Sequence, residues 1–269
     1  MLNVYYIMGT GKSHNKKILT DEGRKVLLND YALGYSQKKI AKKMSVSEDT
    51  IRKWMKEEKI PTRKRKYSLN ESYFKEIRTP EQAYWLGFLS ADGYISEERG
   101  SIVLELQEQD LNHLQKFAKT LNSNRPLLTI NTSLNNKNFI HYRCVLNSRK
   151  MVNDLLSYGL HQNKSLDFEP KNIPPKLFGF WVIGYLDGDG SVFKDKKRVG
   201  IHFTGTQKTL IIIKEFLQSK NKISLEHKCQ NTYKFRPEKN ICEKFLSQYH
   251  YDKLPFVLER KQKHYSSLI

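Results

Sequence analysis

The sequence predicts an α+β protein built from two similar halves, preceded by a small all-α domain. The first observation is a repeat, since residues 84–95 and 181–192 share one pattern of apolar, glycine and aspartate positions. The second is that each copy precedes segments with the alternation of strands, separated by stretches with helical spacing. The third is a run of short helical patterns within residues 1–66. Each half is therefore predicted to run helix, two strands, helix, two strands, helix.

Composition and charge point to a nucleic-acid partner. The chain has 269 residues, of which 38% are hydrophobic and 12% aromatic, so a packed core is expected. Lys and Arg number 47 against 28 Asp and Glu, and a formal charge of +19 favours a polyanionic partner. No membrane span or secretory signal is expected, and the three cysteines lack CxxC spacing. We therefore expect no membrane partner and no secretion, with the cytoplasm or nucleoid, an organelle or a phage-infected cell as the compartment.

The charge is concentrated at the N-terminal end. Residues 1–70 carry 17 basic and 7 acidic side chains, a net +10, against 30 and 21, a net +9, in the other 199 residues. This segment ends after Pro61 in a basic run that is predicted to be a DNA-binding linker: Arg63, Lys64 and Arg65. We place three domains at 1–66, 78–172 and 173–269.

Residues 22–56 have the spacing of a helix-turn-helix. A first helix is predicted at 22–33, and Ser36 and Ser47 are suited to cap the two helices that follow. Ala41 is small enough to let two helices cross closely. The arrangement resembles the helix-turn-helix DNA-binding family, although short three-helix units also serve as plain protein modules. The resemblance implies that exposed residues of the third helix face the major groove: Asp49, Thr50, Arg52, Lys53 and Lys56.

The repeat places small residues four apart in each predicted helix, and Pro80 and Pro174-Pro175 are typical of helix starts. Gly87 with Ala91, and Gly184 with Gly188, would let the two helices approach until their backbones nearly touch. Their terminal aspartates would then lie side by side.

Those aspartates, Asp92 and Asp189, are 97 residues apart (189 − 92). Two carboxylates about 5 Å apart repel by roughly 3 kcal/mol at an effective dielectric of ~20. A shared proton could offset this repulsion, but Mg²⁺ or Mn²⁺ is the usual solution for hard oxygen ligands. Lys164 and Lys261 are also 97 apart (261 − 164) and could stabilise developing phosphorane charge or activate water. The combination indicates phosphodiester hydrolysis.

Alternating segments follow each motif. Strands are predicted at 101–106, 125–132, 139–147, 199–204, 222–228 and 233–236, with helices at 111–121 and 209–218. Several polar side chains on these strands could form a basic sheet along a duplex, although any one could be a solvated surface residue: Tyr142, Arg143, Lys194, His202, Lys228, Lys234 and Arg236.

The pair of motifs resembles the LAGLIDADG homing endonucleases in their single-chain form, over residues 78–269. The resemblance implies pseudo-symmetric αββαββα halves with saddle-like antiparallel sheets. It implies that Asp92 and Asp189 bind Mg²⁺ (or Mn²⁺) at the two scissile phosphates, assisted by the Ala91 and Gly188 carbonyls. Lys164 and Lys261 match the family's active-site basic positions.

Two positions differ between the halves. Gln207 matches a residue that orients water in some family members, whereas Asp110 stands at the same offset in the first half. Asp187 matches the family pattern, whereas Ser90 replaces it in the first copy, and the resemblance implies that this position is structural.

The predicted function is a metal-dependent, site-specific endonuclease that cuts both strands of a double-stranded DNA target. Two motifs in one chain suffice for one active pair, so a monomer is expected. Two alternatives stay open: a non-catalytic DNA-binding transcriptional regulator, and a maturase that assists splicing of intron RNA. A purely structural interpretation also stays open, in which both motifs are Gly-Asp turns after core helices.

Overall fold

The computed structural model describes residues 5–8, 17–61, 66–134, 137–195, 198–227 and 232–268. It divides into two compact units, Met1–Lys66 and Tyr67–Ile269, and each is considered by itself. Four residues predicted to bind DNA lie outside the described ranges: Arg63, Lys64, Arg65 and Lys228.

Among its described residues, the first unit contains a two-stranded hairpin and three helices. The hairpin, which was not predicted, pairs β1 (Tyr6–Met8) with β2 (Lys17–Leu19) in antiparallel fashion. The helices are α1 (Asp21–Ala32), α2 (Gln37–Lys43) and α3 (Glu48–Glu57).

The caps of α2 and α3 are those predicted from the sequence. The Ser36 hydroxyl accepts from the Lys39 backbone N–H, and the Ser47 hydroxyl accepts from Thr50. Leu27, Ile40 and Ile51 are fully buried, with Ala41 at the helix contact as expected.

The second unit contains two halves with the same order of helices and strands, except that the second half ends with one additional helix. The first comprises α4 (Pro80–Asp92), β3 (Gly93–Ser96), β4 (Ser101–Gln107), α5 (Leu111–Thr120), β5 (Leu128–Leu134), β6 (Lys137–Asn147) and α6 (Arg149–Ser157). The second comprises α7 (Phe178–Asp189), β7 (Gly190–Asp195), β8 (Arg198–Gly205), α8 (Gln207–Leu217), β9 (Ile223–His227), β10 (Thr232–Phe235), α9 (Lys239–Gln248) and α10 (Glu259–Ser266).

In the part of the chain that the structure describes, each half has one antiparallel sheet of four strands. The orders are β3-β4-β6-β5 and β7-β8-β10-β9, so corresponding strands occupy corresponding positions. The α+β prediction is confirmed. No range was predicted for β3 and β7, which begin immediately after the aspartates of the motifs.

The two motif helices begin differently. Thr79 and Gln82 form a capping box at the start of α4, where Pro80 is the first residue, as predicted. In contrast, Pro175–Leu177 form a 3₁₀ turn and α7 begins only at Phe178. The predicted helix start at Pro174-Pro175 is therefore about one turn too early.

The helices α4 and α7 cross at the centre of the second unit with their backbones in contact. A Cβ atom added to Gly87 would overlap the Trp181 carbonyl, and one added to Gly184 would overlap the Tyr84 carbonyl. One added to Gly188 would overlap the Ala91 side chain. Only small residues permit this approach, so the predicted role of the small positions agrees with the structure. In the part of the chain described, no helix is long and apolar enough to cross a membrane.

Candidate active site

Two aspartates lie together where the crossing helices end. Asp92 is the last residue of α4, and Asp189 is the last residue of α7. The Asp92 carboxylate lies beside the end of α7, since a Cβ atom on Gly188 would lie 3.5 Å from its Cγ. Both carboxylates are open to solvent on one side and enclosed by protein on the others.

Their environment disfavours two negative charges. Desolvation, and then the charge of Asp189, raise the pKa of Asp92 to about 6, while Lys261 and Lys164 oppose the shift. Desolvation also raises the pKa of Asp189, and the same two lysines oppose it. The predicted juxtaposition of carboxylates and lysines is therefore present in the structure.

Each lysine reaches the carboxyl end of the motif helix in its own half. Lys164, in the 3₁₀ turn Lys164–Leu166, donates from Nζ to the Ala91 carbonyl at 2.6 Å. Lys261, on α10, donates to the Leu186 carbonyl at 2.9 Å and to those of Asp187 and Gly190 at 2.6 Å each. A cation is favourable there because the last carbonyls of a helix lack intrahelical donors.

Burial lowers the pKa of both lysines. For Lys164, the charges of Asp189 and Asp92 oppose this shift. For Lys261, the charge of Asp187 is the largest opposing influence. Both ammonium groups thus act on the same acidic centre.

Asp187 and Ser90 occupy the matching position of the two motifs. Both make hydrogen bonds to buried groups of the core and do not belong to the acidic pair. The buried Asp187 carboxylate accepts from the hydroxyl of Tyr84 at 2.8 Å, the hydroxyl of Tyr251 at 2.6 Å and the backbone N–H of Leu258 at 2.8 Å. Ser90 accepts from Trp181 Nε1 at 3.2 Å. This agrees with the structural role that the resemblance implies.

Gln207 is not brought to the aspartates by any contact among the described residues. It is the exposed first residue of α8, and Thr206 caps that helix. The comparison of Gln207 with Asp110 is wrong in structural terms, because Asp110 immediately precedes α5 just as Thr206 precedes α8. The offset of 97 between matching residues does not persist beyond the first hairpin of each half. Leu104 pairs with Gly93 and Phe203 pairs with Gly190, so Leu104 and Phe203 match although they are 99 residues apart (203 − 104).

In the second sheet, three of the predicted DNA-binding residues share the face turned away from the core. Ile201, Phe203 and Phe235 are buried, so the alternating positions His202, Lys234 and Arg236 point outward. The prediction for Lys194 is wrong for this face: it pairs with the buried Val199 and lies on the core side.

The polar partners on this outward face were missed from the sequence. The Ser191 hydroxyl lies 2.6 Å from His202 Nδ1, and Lys234 pairs with Glu226 at 2.5 Å. Only the register of the strands brings these pairs together, so strand alternation could have suggested the face but not the partners.

In the first sheet, Arg143 points outward and its Nε donates to Glu105 at 2.7 Å. Tyr142 packs, partly buried, against the core. The prediction that both face a duplex is therefore wrong for Tyr142, because adjacent residues of a strand point to opposite faces.

The predicted residues of α3 are at its surface, with Thr50 half-buried. The Arg52 guanidinium pairs with Asp49 at 2.7 Å, and the Thr50 hydroxyl lies 2.9 Å from that of Ser47. Asp49, Arg52, Lys53 and Lys56 are exposed. This surface stays a predicted DNA contact.

The acidic pair suits a hard divalent cation. Among the residues described, no group of three or more His, Cys, Asp and Glu side chains is placed to hold a metal. Mg²⁺ commonly uses only one or two carboxylates, with waters and phosphate oxygens as further ligands. The Ala91 carbonyl is already bound by Lys164, whereas Lys261 Nζ is 3.4 Å from the Gly188 carbonyl. Of the two carbonyls predicted as ligands, that of Gly188 is therefore more available to bind a metal.

Comparison with solved structures gives fold-level likenesses to LAGLIDADG proteins. The homing endonuclease I-WcaI bound to its DNA recognition sequence has a TM-score of 0.48 at 12% identity, covering 71% of this chain and 91% of that one. The LAGLIDADG meganuclease I-AabMI bound to uncleaved DNA has a TM-score of 0.44 at 14% identity, covering 71% and 90%. The N-terminal LAGLIDADG domain of WhiA has a TM-score of 0.40 at 16% identity, covering 66% and 86%.

No protein-family model matches the chain, and no curated protein does. The chain's own order of helices and strands defines a two-motif α+β protein. Similarity at this level does not assign a function, so we derive the function from the chain's own residues.

Proposed function

We propose that this protein is a DNA endonuclease of the LAGLIDADG homing type, which uses a divalent metal to make a double-strand break. The observation that carries the proposal is the meeting of Asp92 and Asp189 at the ends of two helices in backbone contact. A structural turn would have no need to place two acids where each disfavours the charge of the other.

The chemistry follows from the groups around this centre. Asp92 and Asp189 would hold Mg²⁺ or Mn²⁺, which when bound supplies Lewis acidity to a phosphodiester and its attacking water. Lys164 and Lys261 place positive charge beside the acids, where it would stabilise the negative charge that develops on phosphorus-bound oxygens. Since one chain supplies both acids and both lysines, a monomer would be sufficient.

The basic excess would hold the duplex. Lys234, Arg236 and His202 on the outward face of the second sheet would contact DNA, and α3 of the first unit would add a tethered DNA contact. Binding to phosphates releases counterions, so affinity is expected to fall steeply with salt.

The test compares the acidic variants with wild type on a selected target. A binding site is first obtained by selection from a random duplex library and is cloned in a plasmid. Asp92→Asn and Asp189→Asn are expected to bind the site and to lose double-strand cleavage in Mg²⁺ or Mn²⁺, while the control Asp252→Asn cuts normally.

The other outcomes identify the alternatives. If wild type binds its site but never cuts it with either metal, a non-catalytic regulator replaces the proposal. Preferential binding of intron RNA over duplex DNA would support a maturase, and an Asp92→Asn variant that still linearises plasmid would refute the assigned centre.

A further inference from the structure

The outward faces of the two sheets have different chemistry. In the first sheet Ile102, Leu104 and Leu106 point into the core, so the alternating residues of β4 point outward. The pairing of β3, β5 and β6 with this register carries the same face across the sheet. We call its apolar members the apolar face: Tyr94, Val103, Leu128, Ile130, Phe139 and Val145.

Large side chains on this face are open to solvent although they are apolar. Tyr94 is 51% exposed, Phe139 44% and Leu128 43%. Charge on the same face is neutralised locally, because Glu105 pairs with Arg143 at 2.6 Å and lies 3.7 Å from His141. The carboxylate and the guanidinium of this face are thus paired with each other.

The corresponding face of the second sheet is polar. It presents His202, Lys234 and Arg236, and the one large apolar residue among its described positions, Phe193, lies under the Arg236 guanidinium at 5.5 Å. We call this the polar face.

Both faces continue directly from the acidic centre. Tyr94 follows Asp92 by two residues on β3, and Ser191 follows Asp189 by two residues on β7. A duplex with its scissile phosphates at the two aspartates would therefore place one half-site along each face. This inference rests on the proposed function.

The apolar groups that a base pair offers in the major groove are the C5-methyl groups of thymine, whereas guanine offers two acceptors that suit Arg and Lys. We propose that the first sheet recognises its half-site mainly through thymine methyl groups on the apolar face, while the second sheet recognises guanine through Arg236. The continuity of the apolar face with the acidic centre favours DNA over a protein partner as its occupant.

The experiment removes the methyl groups from the DNA. The selected target is synthesised with deoxyuridine in place of thymidine in one half-site at a time, and the affinity of the full chain is measured. Each contacted methyl is expected to contribute about fourfold, since ~0.8 kcal/mol per buried carbon corresponds to that ratio. The loss should occur in one half-site only, and Arg236→Ala identifies the other by relaxing its guanine preference.

A matched pair of variants assigns the loss to the face. Phe139→Ala is expected to abolish most of the difference between thymidine and deoxyuridine. Ile140→Ala is the control, because Ile140 is the next residue on β6, is 38% exposed, and lies on the opposite side of the sheet. It should leave the difference unchanged.

The outcomes separate this inference from the proposed function. Failure to bind any duplex refutes both. Specific binding and cleavage with equal deoxyuridine effects in both half-sites, or with none, overturns only the inference. So does an unchanged deoxyuridine effect in Phe139→Ala.

Discussion

The two lysine-bearing segments occupy matching places but are held in different ways. Lys164 lies in a single 3₁₀ turn and donates to one carbonyl, that of Ala91. Lys261 lies on a helix and donates within 2.9 Å to three carbonyls at the end of α7. The difference indicates that Lys261 is largely committed to closing a helix end, whereas Lys164 has more freedom to turn toward a substrate.

Each segment is also fastened to the other half, again by different chemistry. Arg260, beside Lys261, pairs with Asp110 through both carboxylate oxygens, at 3.2 and 3.1 Å. Near Lys164, the Phe168 carbonyl accepts from the hydroxyls of Thr206 and Thr209 at 2.7 and 2.8 Å. The segment with Lys261 is thus attached through titratable, charged groups, and the segment with Lys164 through neutral hydroxyls. Acid and salt should therefore weaken the two attachments unequally.

The largest effect on the free energy of unfolding is expected from substitutions at the matching motif positions Asp187 and Ser90. Asp187→Ala would leave two tyrosine hydroxyls and one backbone N–H without their acceptor, at a cost of about 3–5 kcal/mol in unfolding free energy. Ser90→Ala removes one acceptor, that of Trp181, and should cost about 1 kcal/mol. Urea denaturation measures both, and similar losses would show that the two motifs carry equal structural weight.

The next largest effect on stability is expected from substitution of the two lysines. Lys261→Met should lower the free energy of unfolding by about 2 kcal/mol more than Lys164→Met, because more buried carbonyls lose their donor. Cleavage is expected to be impaired in both variants. Denaturation and single-turnover cleavage, measured on the same preparations, separate the two properties. A Lys164→Met protein as unstable as Lys261→Met would contradict the freedom inferred for Lys164.

The sequence was informative where a short pattern determines a local contact. Gly87 and Gly184 predict the helix crossing because only a residue without a side chain allows it, and Ser36 and Ser47 predict caps because the cap is made within three residues. It was uninformative where distant segments meet, as in the pairing of Asp110 with Arg260. The errors at Lys194 and Tyr142 have another cause, since charge and aromaticity were used without the alternation of the strand.

His113 should make the first half sensitive to acid. It is the third residue of α5, as Thr209 is of α8, and its Nε2 lies 3.1 Å from the Tyr84 hydroxyl. Burial, and then the charges of Lys116 and Lys261, lower the pKa of His113 to about 3. The unfolded chain therefore binds a proton below its ordinary pKa of about 6.5 that the folded chain excludes, so this stability is complete above pH 6.5 and falls as the pH decreases toward 3.

Between pH 7 and 5 the loss attributable to His113 should be about 1–2 kcal/mol. His113→Gln should be less stable at pH 7 but should lose less on acidification. Thr209→Val, which changes the matching neutral position, should keep the wild-type pH slope. The urea midpoint against pH measures these slopes, and identical slopes in wild type and His113→Gln would exclude His113 as the source.

The smallest effect expected is the salt dependence of the Asp110–Arg260 pair. The Arg260 side chain is about half exposed while Asp110 is buried, so water and salt screen the pair only in part. Arg260→Met keeps most of the stem and should cost about 1 kcal/mol or less at low ionic strength, with the difference from wild type shrinking as NaCl is raised. Thr206→Val removes a neutral cap and hydrogen bond, so its cost should not depend on salt. Thermal denaturation of the three proteins from low to high NaCl makes the comparison. The stability difference between Thr206→Val and wild type could instead shrink with salt as much as that of Arg260→Met. In that case the two attachments do not differ in their electrostatics, and the contacts around Phe168 must include a charge interaction beyond the neutral hydroxyls.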